Sequence, residues 1–571
     1  KSYVVSLTFT EEGTKAFADA TSANVGKRIA IIYDNQIYSN PVVREAITGG
    51  QCQIDGMTDY TEAENLAATI RIGSLSLELQ ELRSNVVGAQ LGQQAISTSL
   101  KAGAIGFAIV AVFMMVLYLI PGVAAVIALA LYVGLVLIML TAFDITLTLP
   151  GVAGIILSVG MAVDANVIIF TRIKEEIGLG HSVKSAIKAG FSKALSAILD
   201  GNITTLIAAA VLYFRGSGTV KGFASTLAIG IVLSMFTALF ITKGALYALY
   251  AVGFEDPKFY GTKKDGKIIN FLGKKNICFI LSIAVIVAGW AGMALHKGQT
   301  GYVLNYGMDF TGGTSTNVTF NEDMSLDDIS AKVVPVVSKI TGDADVQTQK
   351  VAGTNEVIIK TKTLDVEQRQ QLEDAMVENF GVDAEKITAE SISGAVSTEM
   401  KKDAVWAVTI ATVLMLLYIW FRFKDIRFAA SAILALVHDV LVVVTFYSLA
   451  KWSVGSTFIA CMLTIVGYSI NATIVIFDRI RENLALKKAG SKQTLEEIVN
   501  LSITQTFTRS INTSLTTFIM VFVLFLLGVS SIREFALPLM VGIVCGTYSS
   551  VCVTGALWYV LTTRKQKKAE K

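Results

Sequence analysis

Five ionisable side chains lie inside long apolar runs of this 571-residue chain. VGMAVDANVIIF carries Asp164 and, two residues on, Asn166; LDGNITTLI carries Asp200; TFTRSINTSLTT carries Arg509 and Asn512; LVHDVL sets His438 beside Asp439. A charged group at bilayer depth costs between about 2.5 and over 10 kcal/mol depending on the reference state, so such residues face the inside of a helix bundle and often mark ion paths. Two carboxylates, a guanidinium and a His–Asp pair suit proton transfer. Desolvation favours the neutral carboxyl and a nearby guanidinium favours the ion; opposed at Asp164, the two effects would let it load and release a proton near neutrality. The other reading is that these groups pair with one another and with neighbouring amides and hydroxyls to hold helices together. At a rise of about 1.5 Å per residue, Asp164 is expected about one and a half turns before its span meets the cytoplasm. Asp200 and Arg509 are expected at similar depth in theirs, and His438 and Asp439 slightly deeper.

The elements that would position these groups are membrane helices. The chain is 53% hydrophobic and 16% charged, with six prolines, and eleven of its apolar stretches reach the roughly 20 residues a helix needs to cross hydrocarbon. Lys and Arg concentrate in alternate links, at 172–193, 255–275, 421–428, 479–500 and the tail TTRKQKKAEK. The bias of such residues toward cytoplasmic loops places 1–100 and 300–400 outside. The expected order is an external domain at 1–100, five spans at 101–254, a cytoplasmic linker at 255–275 and a span at 276–299. A second external domain at 300–400, five spans at 401–562 and a basic tail at 563–571 follow.

A net charge of +3 does not suggest nucleic-acid binding. Three histidines, His181, His296 and His438, make no zinc cluster, the five cysteines include no CxxC pair, and no Walker lysine motif offers an ATP site. No catalytic residue, metal or cofactor is therefore expected, which leaves the membrane gradient as the energy source.

VGMAVDANVIIFTRIKEE returns as VGYSINATIVIFDRIREN, matching Asp164 with Asn471, Arg172 with Arg479 and Glu175 with Glu482. LDGNITTLI returns as INTSLTTFI, matching Asp200 with Asn512. Two copies in the same topology are the pattern of transporters built from parallel repeats, whose ion sites lie between the halves. Alternating strands and helical runs between Gly301 and Thr398 predict a small βαββαβ domain. The second copy has one span more than the first, so a further helix is expected before Lys1, in a twelve-span protein of which this chain is a part.

VGMAVDANV, PVVREAITGG, MDFTGGT, LVHDVL, GYSIN with TIVIFDRIREN, and TQTFTRSINTSLTT closely resemble bacterial SecD and SecF fused in one polypeptide, the SecDF family of the RND superfamily. The resemblance implies a multi-span α-helical membrane protein of two pseudo-symmetric half-bundles with small α+β ferredoxin-like extracytoplasmic domains. It implies an accessory role in proton-driven preprotein export across the bacterial cell membrane. The partners it implies are the SecYEG channel, preproteins driven by SecA, YajC and YidC, with protons and membrane lipid as the other contacts. It puts the proton-path aspartate on Asp164 and the arginine on Arg509. Asp200, Asp439, His438 and Asn471 are the other candidates for the path, with Gly312, Gly313, Asn166 and Asn512 as structural motif residues. It also implies that 1–100 is the later part of a base whose mobile head is missing. One departure is plain: the family pattern has an aspartate where Ala472 stands.

The competing class is an RND-type proton-coupled exporter of small molecules or lipids, which shares repeated halves and intramembrane aspartates. Its external domains are typically far larger than the hundred residues at 300–400. A non-transporting scaffold is a third reading, and it would tolerate loss of the Asp164 carboxylate.

Overall fold

The computed structural model describes residues 3–33, 36–73, 81–86, 89–216, 218–262, 267–343, 346–351, 354–488 and 493–569. The chain divides into two compact units, Lys1–Glu81 and Leu82–Lys571, so the first unit ends before the boundary near 100 that the sequence suggests.

In the first unit, β1 (Tyr3–Thr8) is followed by α1 (Glu11–Ala23), the hairpin β2 (Ile31–Tyr33) and β3 (Gln36–Ser39), β4 (Gln51–Met57) and α2 (Tyr60–Gly73). β1 pairs antiparallel with β4. Alternation along these strands and the helical spacing of α2 bring Val5, Ile54, Ala63 and Leu66 together as a small core.

The second unit opens with β5 (Arg83–Val86), and then α3 (Ala89–Tyr118), α4 (Ile120–Ala142), α5 (Leu149–Gly178) and α6 (Val183–Arg215). α7 (Thr219–Phe236) runs through a π-helical stretch, Thr237–Ile241, into α8 (Thr242–Ala251). After the linker come α9 (Lys275–Thr300) and the external segment. That segment comprises α10 (Met308–Thr311), β6 (Gly313–Thr319), α11 (Leu326–Asp328) leading through a π stretch into α12 (Val334–Thr341), β7 (Gln347–Lys350), β8 (Glu356–Thr361), α13 (Val366–Phe380) and β9 (Ile387–Ile392). The remaining spans are α14 (Gly394–Phe423), α15 (Ile426–Ala450), α16 (Ser456–Lys488), α17 (Leu495–Leu527), and α18 (Ser530–Tyr548) joined by a second π stretch, Ser549–Thr554, to α19 (Gly555–Ala569). Among the described residues, eleven helices are long and apolar enough to cross a membrane, as expected. Lys263 and Lys264, two of the lysines that mark the 255–275 link as cytoplasmic, lie outside the described residues.

The repeat is visible in the backbone: each half ends in a span interrupted by a π stretch. Burial separates the helices by role. The apolar windows of α5 and α16 are 89% and 83% buried, those of α9 and α14 only 11% and 22%. α5 and α16 are therefore the paired central helices, and α9 and α14 stand at the periphery. The sheet has order β5-β9-β6-β8-β7 with every pairing antiparallel. Its last four strands form the expected βαββαβ unit, whose core includes Val318, Val357, Ile359 and Leu372. The fifth strand was not foreseen: β5, just ahead of α3, joins the edge beside β9, where Arg83 donates to Glu390 at 2.8 Å.

Candidate functional site between the repeats

Asp164 and its repeat partner Asn471 meet. Asn471 Nδ2 donates to Asp164 Oδ2 at 2.5 Å between residues 307 apart in the chain. Thr148 caps the start of α5, and the helix runs unbroken past the apolar run into the charges at 172–176. Asp164 therefore sits midway along a 30-residue helix whose last turns carry those charges. The residue is 8% exposed and borders a cavity of about 10 Å³ with Ile168, Asn202, Thr205, Tyr468 and Asn471, barely the room one water needs. Close helix approach makes the contact possible. A Cβ at Gly201 of α6 would overlap the Asn471 side chain, and one at Gly467 of α16 would come 3.1 Å from the Thr205 Cα. The Asn471 carbonyl oxygen is buried without a hydrogen-bond partner among the described residues.

Arg509 of α17 is close enough for its charge to act on Asp164, yet the two make no direct ion pair among the described residues. Arg509 instead lines a second cavity, of about 20 Å³, large enough for one water. Ile168 borders both cavities. Toward the charged end of α5 and α16 a closed ring follows. Arg172 bonds Glu175 at 3.1 Å and Glu482 at 3.0 Å, and Arg479 bonds Glu175 at 3.0 Å and Glu482 at 3.0 Å. Its members are two repeat-matched pairs. The sequence showed the matches but read these residues as loop charges, because pairing across the interface leaves no trace in spacing along one helix.

The other candidates do not join this site. Asp200 is held by Arg422 Nε at 2.6 Å and Tyr418 Oη at 2.7 Å, and Arg422 also bonds Ser196. Arg422 ends a span and was counted among the loop cations; its length carries the guanidinium back along the helix to Asp200. The repeat-matched contact pairs Asn512 Nδ2 with Tyr118 Oη at 3.1 Å. Asn166 Oδ1 accepts from Thr242 at 2.9 Å, tying α5 to the helix after the π stretch.

His438 and Asp439 form a third cluster. His438 Nδ1 lies 2.9 Å from Asp439 Oδ1, and Nε2 lies 2.9 Å from Ser282 Oγ. Asp439 also accepts from Ser469 at 2.5 Å, Ser549 at 2.8 Å and Cys545 at 3.3 Å. His438, Asp439 and Cys545 could hold a metal ion by spacing, but each is engaged in this network. The expected single polar layer is thus three clusters. α16 joins two of them: Ser469 and Asn471, two residues apart, point about 200° apart around the helix, one to Asp439 and the other to Asp164.

The profile described as protein export membrane protein SecD/SecF, C-terminal, matches residues 71–252 and 372–564. The profile described as SecDF, P1 head subdomain, matches residues 1–77, so the stretch expected to be part of a base is head-like. Protein translocase subunit SecDF of Bacillus subtilis is 36% identical over 93% of this chain and 73% of its own length. The Thermus thermophilus SecDF is 38% identical over 99% of this chain and 75% of its own. The crystal structure of the Thermus protein, described as translocon-associated, superposes with a TM-score of 0.78 at 37% identity, covering 98% of this chain and 75% of that one. Duplicated half-bundles, a buried aspartate at their interface and relatives matched across nearly the whole chain agree: this multi-pass membrane protein belongs to the SecDF family.

Proposed function

We propose that the chain is an accessory subunit of the Sec translocon that uses the proton-motive force, through Asp164, to assist preproteins across the cytoplasmic membrane. Its relatives are named protein translocase subunits, and the Thermus homologue is described as translocon-associated. The partners on this reading are the SecYEG channel and the preproteins that SecA drives into it. The external domains face away from the cytoplasm, in keeping with the lysine and arginine bias of the alternate links. The work comes from an ion gradient and not from group transfer, since a charge crossing 100 mV releases about 2.3 kcal/mol.

The observation that carries the reading is the environment of Asp164. Asp200 is bound by a guanidinium, and Asp439 accepts four donors. Among the described residues the Asp164 carboxylate has one hydrogen bond, from the neutral amide of its repeat partner, so taking up a proton there disrupts the fewest interactions. Arg509, nearby and without a side-chain hydrogen bond among the described residues, can balance the charge when the proton leaves. The experiment is preprotein export in cells with and without an uncoupler, at equal protein levels. Asp164→Asn keeps the volume and the fold and should lose the uncoupler-sensitive part of export; export undiminished by this change would reduce Asp164 to a helix contact.

A further inference from the structure

The MDFTGGT motif has no part in the proton site, and the structure gives it a mechanical one. Residues 308–311 form a single helical turn closed by the Gly312 amide on the Met308 carbonyl at 2.8 Å. Gly312 (φ +74°) and Gly313 (φ +118°) then reverse the chain into β6; a Cβ on Gly313 would lie 2.5 Å from the Thr361 carbonyl oxygen, so only glycine fits. The turn aims Asp309 out of the external domain. Its Oδ2 accepts from the amide of Ser456 at 2.6 Å, the first residue of α16.

The first amides of a helix have no partner within the helix, and its N-terminus carries partial positive charge. Asp309 supplies an acceptor for one of these amides from outside the helix. The surrounding backbone reinforces the join. Gly307 N donates to Val454 O and Val454 N to Asn305 O, each at 2.8 Å, and Tyr306 and Val454 form a parallel bridge. Asn305 Nδ2 reaches the Lys451 carbonyl at 3.0 Å. The root of the external domain and the start of α16 are thus clamped together. Fifteen residues below Ser456, about 22 Å along the helix, lies Asn471, the only residue that bonds Asp164 among the described residues.

We propose that Asp309 is a positioning residue that fastens the second external domain to the N-terminus of α16, so that movement of this domain displaces Asn471 against Asp164. The proposal rests on the proton reading above. A cap needs an acceptor oxygen and not a charge, and asparagine caps as well as aspartate. The test uses the full protein in a Cys52→Ser background, with uncoupler-sensitive export as the readout. Asp309→Ala should lose most of that export and Asp309→Asn should keep it. Oxidised Tyr306→Cys/Val454→Cys should be active by itself and should restore export to Asp309→Ala by remaking the join.

An Asp309→Asn as defective as Asp309→Ala, an Asp309→Ala with full export, or a disulfide that fails to restore it would overturn the proposal. So would loss of export from the oxidised pair alone, which would mean that domain and helix must separate. Wild-type export insensitive to uncoupler would instead overturn the proton reading.

Discussion

Asn471 and Asp164 occupy the same place in two copies of one sequence phrase, and they are bonded to each other at 2.5 Å. The duplication therefore puts its two central positions in contact, and divergence has made one an acid and the other an amide. Two carboxylates at that distance would have to share a proton. An acid and an amide can bond in either protonation state.

Exchanging the two roles tests whether position or chemistry matters. Asp164→Asn with Asn471→Asp keeps one acid, one amide and the bond, so thermal stability should stay near wild type. Arg509 has no cationic counterpart, since the residue at the matching place in the first repeat is Ala197. Uncoupler-sensitive export should therefore stay low in the exchanged protein. Full export would show that the cation's side is immaterial.

Removing the donor alone has a different signature. Asn471→Leu leaves Asp164 buried without its hydrogen bond, a loss of about 1–3 kcal/mol for an unsatisfied buried group. A lower unfolding temperature in lipid nanodiscs is expected, and an unchanged one would mean that water replaces the amide.

The ring of Arg172, Glu175, Arg479 and Glu482 should behave as one unit. Arg479→Glu removes the bonds to Glu175, Glu482 and Gln505 and places three acids beside one arginine. Because the ring is partly exposed, with Glu482 at 42%, solvent reduces the cost to about 1–3 kcal/mol. Adding Glu175→Arg reverses the Arg479–Glu175 pair and should recover at least half of the loss. A double-mutant cycle in thermal unfolding measures the coupling, and additive losses would show that the ring members act separately.

Much of the frame was legible. Spans follow from apolar length alone, and the βαββαβ domain from strand alternation with short polar helices. The repeat told which residues correspond, and so pointed at Asp164 and Asn471. What spacing could not show was contact across the interface. Asp200 looked like a neighbour of Asp164 by depth, yet Arg422 reaches back from a helix end to claim it. β5 went unseen because a four-residue strand, RSNV, has no alternation of its own and its described partner is β9, some 300 residues away. Asp309 was not singled out, because its partner is a backbone amide, which any residue at position 456 but proline would supply.

Topology gives an independent check. The link at 255–275 carries six lysines, and the charge bias places it in the cytoplasm. A reporter active only in the cytoplasm should work when inserted there, and one active only after export should be silent. The reverse pattern would invert the assignment of both external domains.

This chain has Ala472 where the resemblance expects an aspartate. Position 472 is one residue along α16 from Asn471 and three before Val475, so it shares a face with Val475 one turn away. Val475 borders the cavity that Arg509 lines, which puts position 472 on the Arg509 side. A carboxylate there would approach the guanidinium from α16 instead of α5. In the Asp164→Asn background, Ala472→Asp should restore part of the uncoupler-sensitive export. Ala472→Asn, equal in size and without the titratable group, should restore none. If both variants restore export equally, polarity and not protonation is what the site requires. If neither does while both fold and accumulate like wild type, the proton step depends on the carboxylate at position 164 itself.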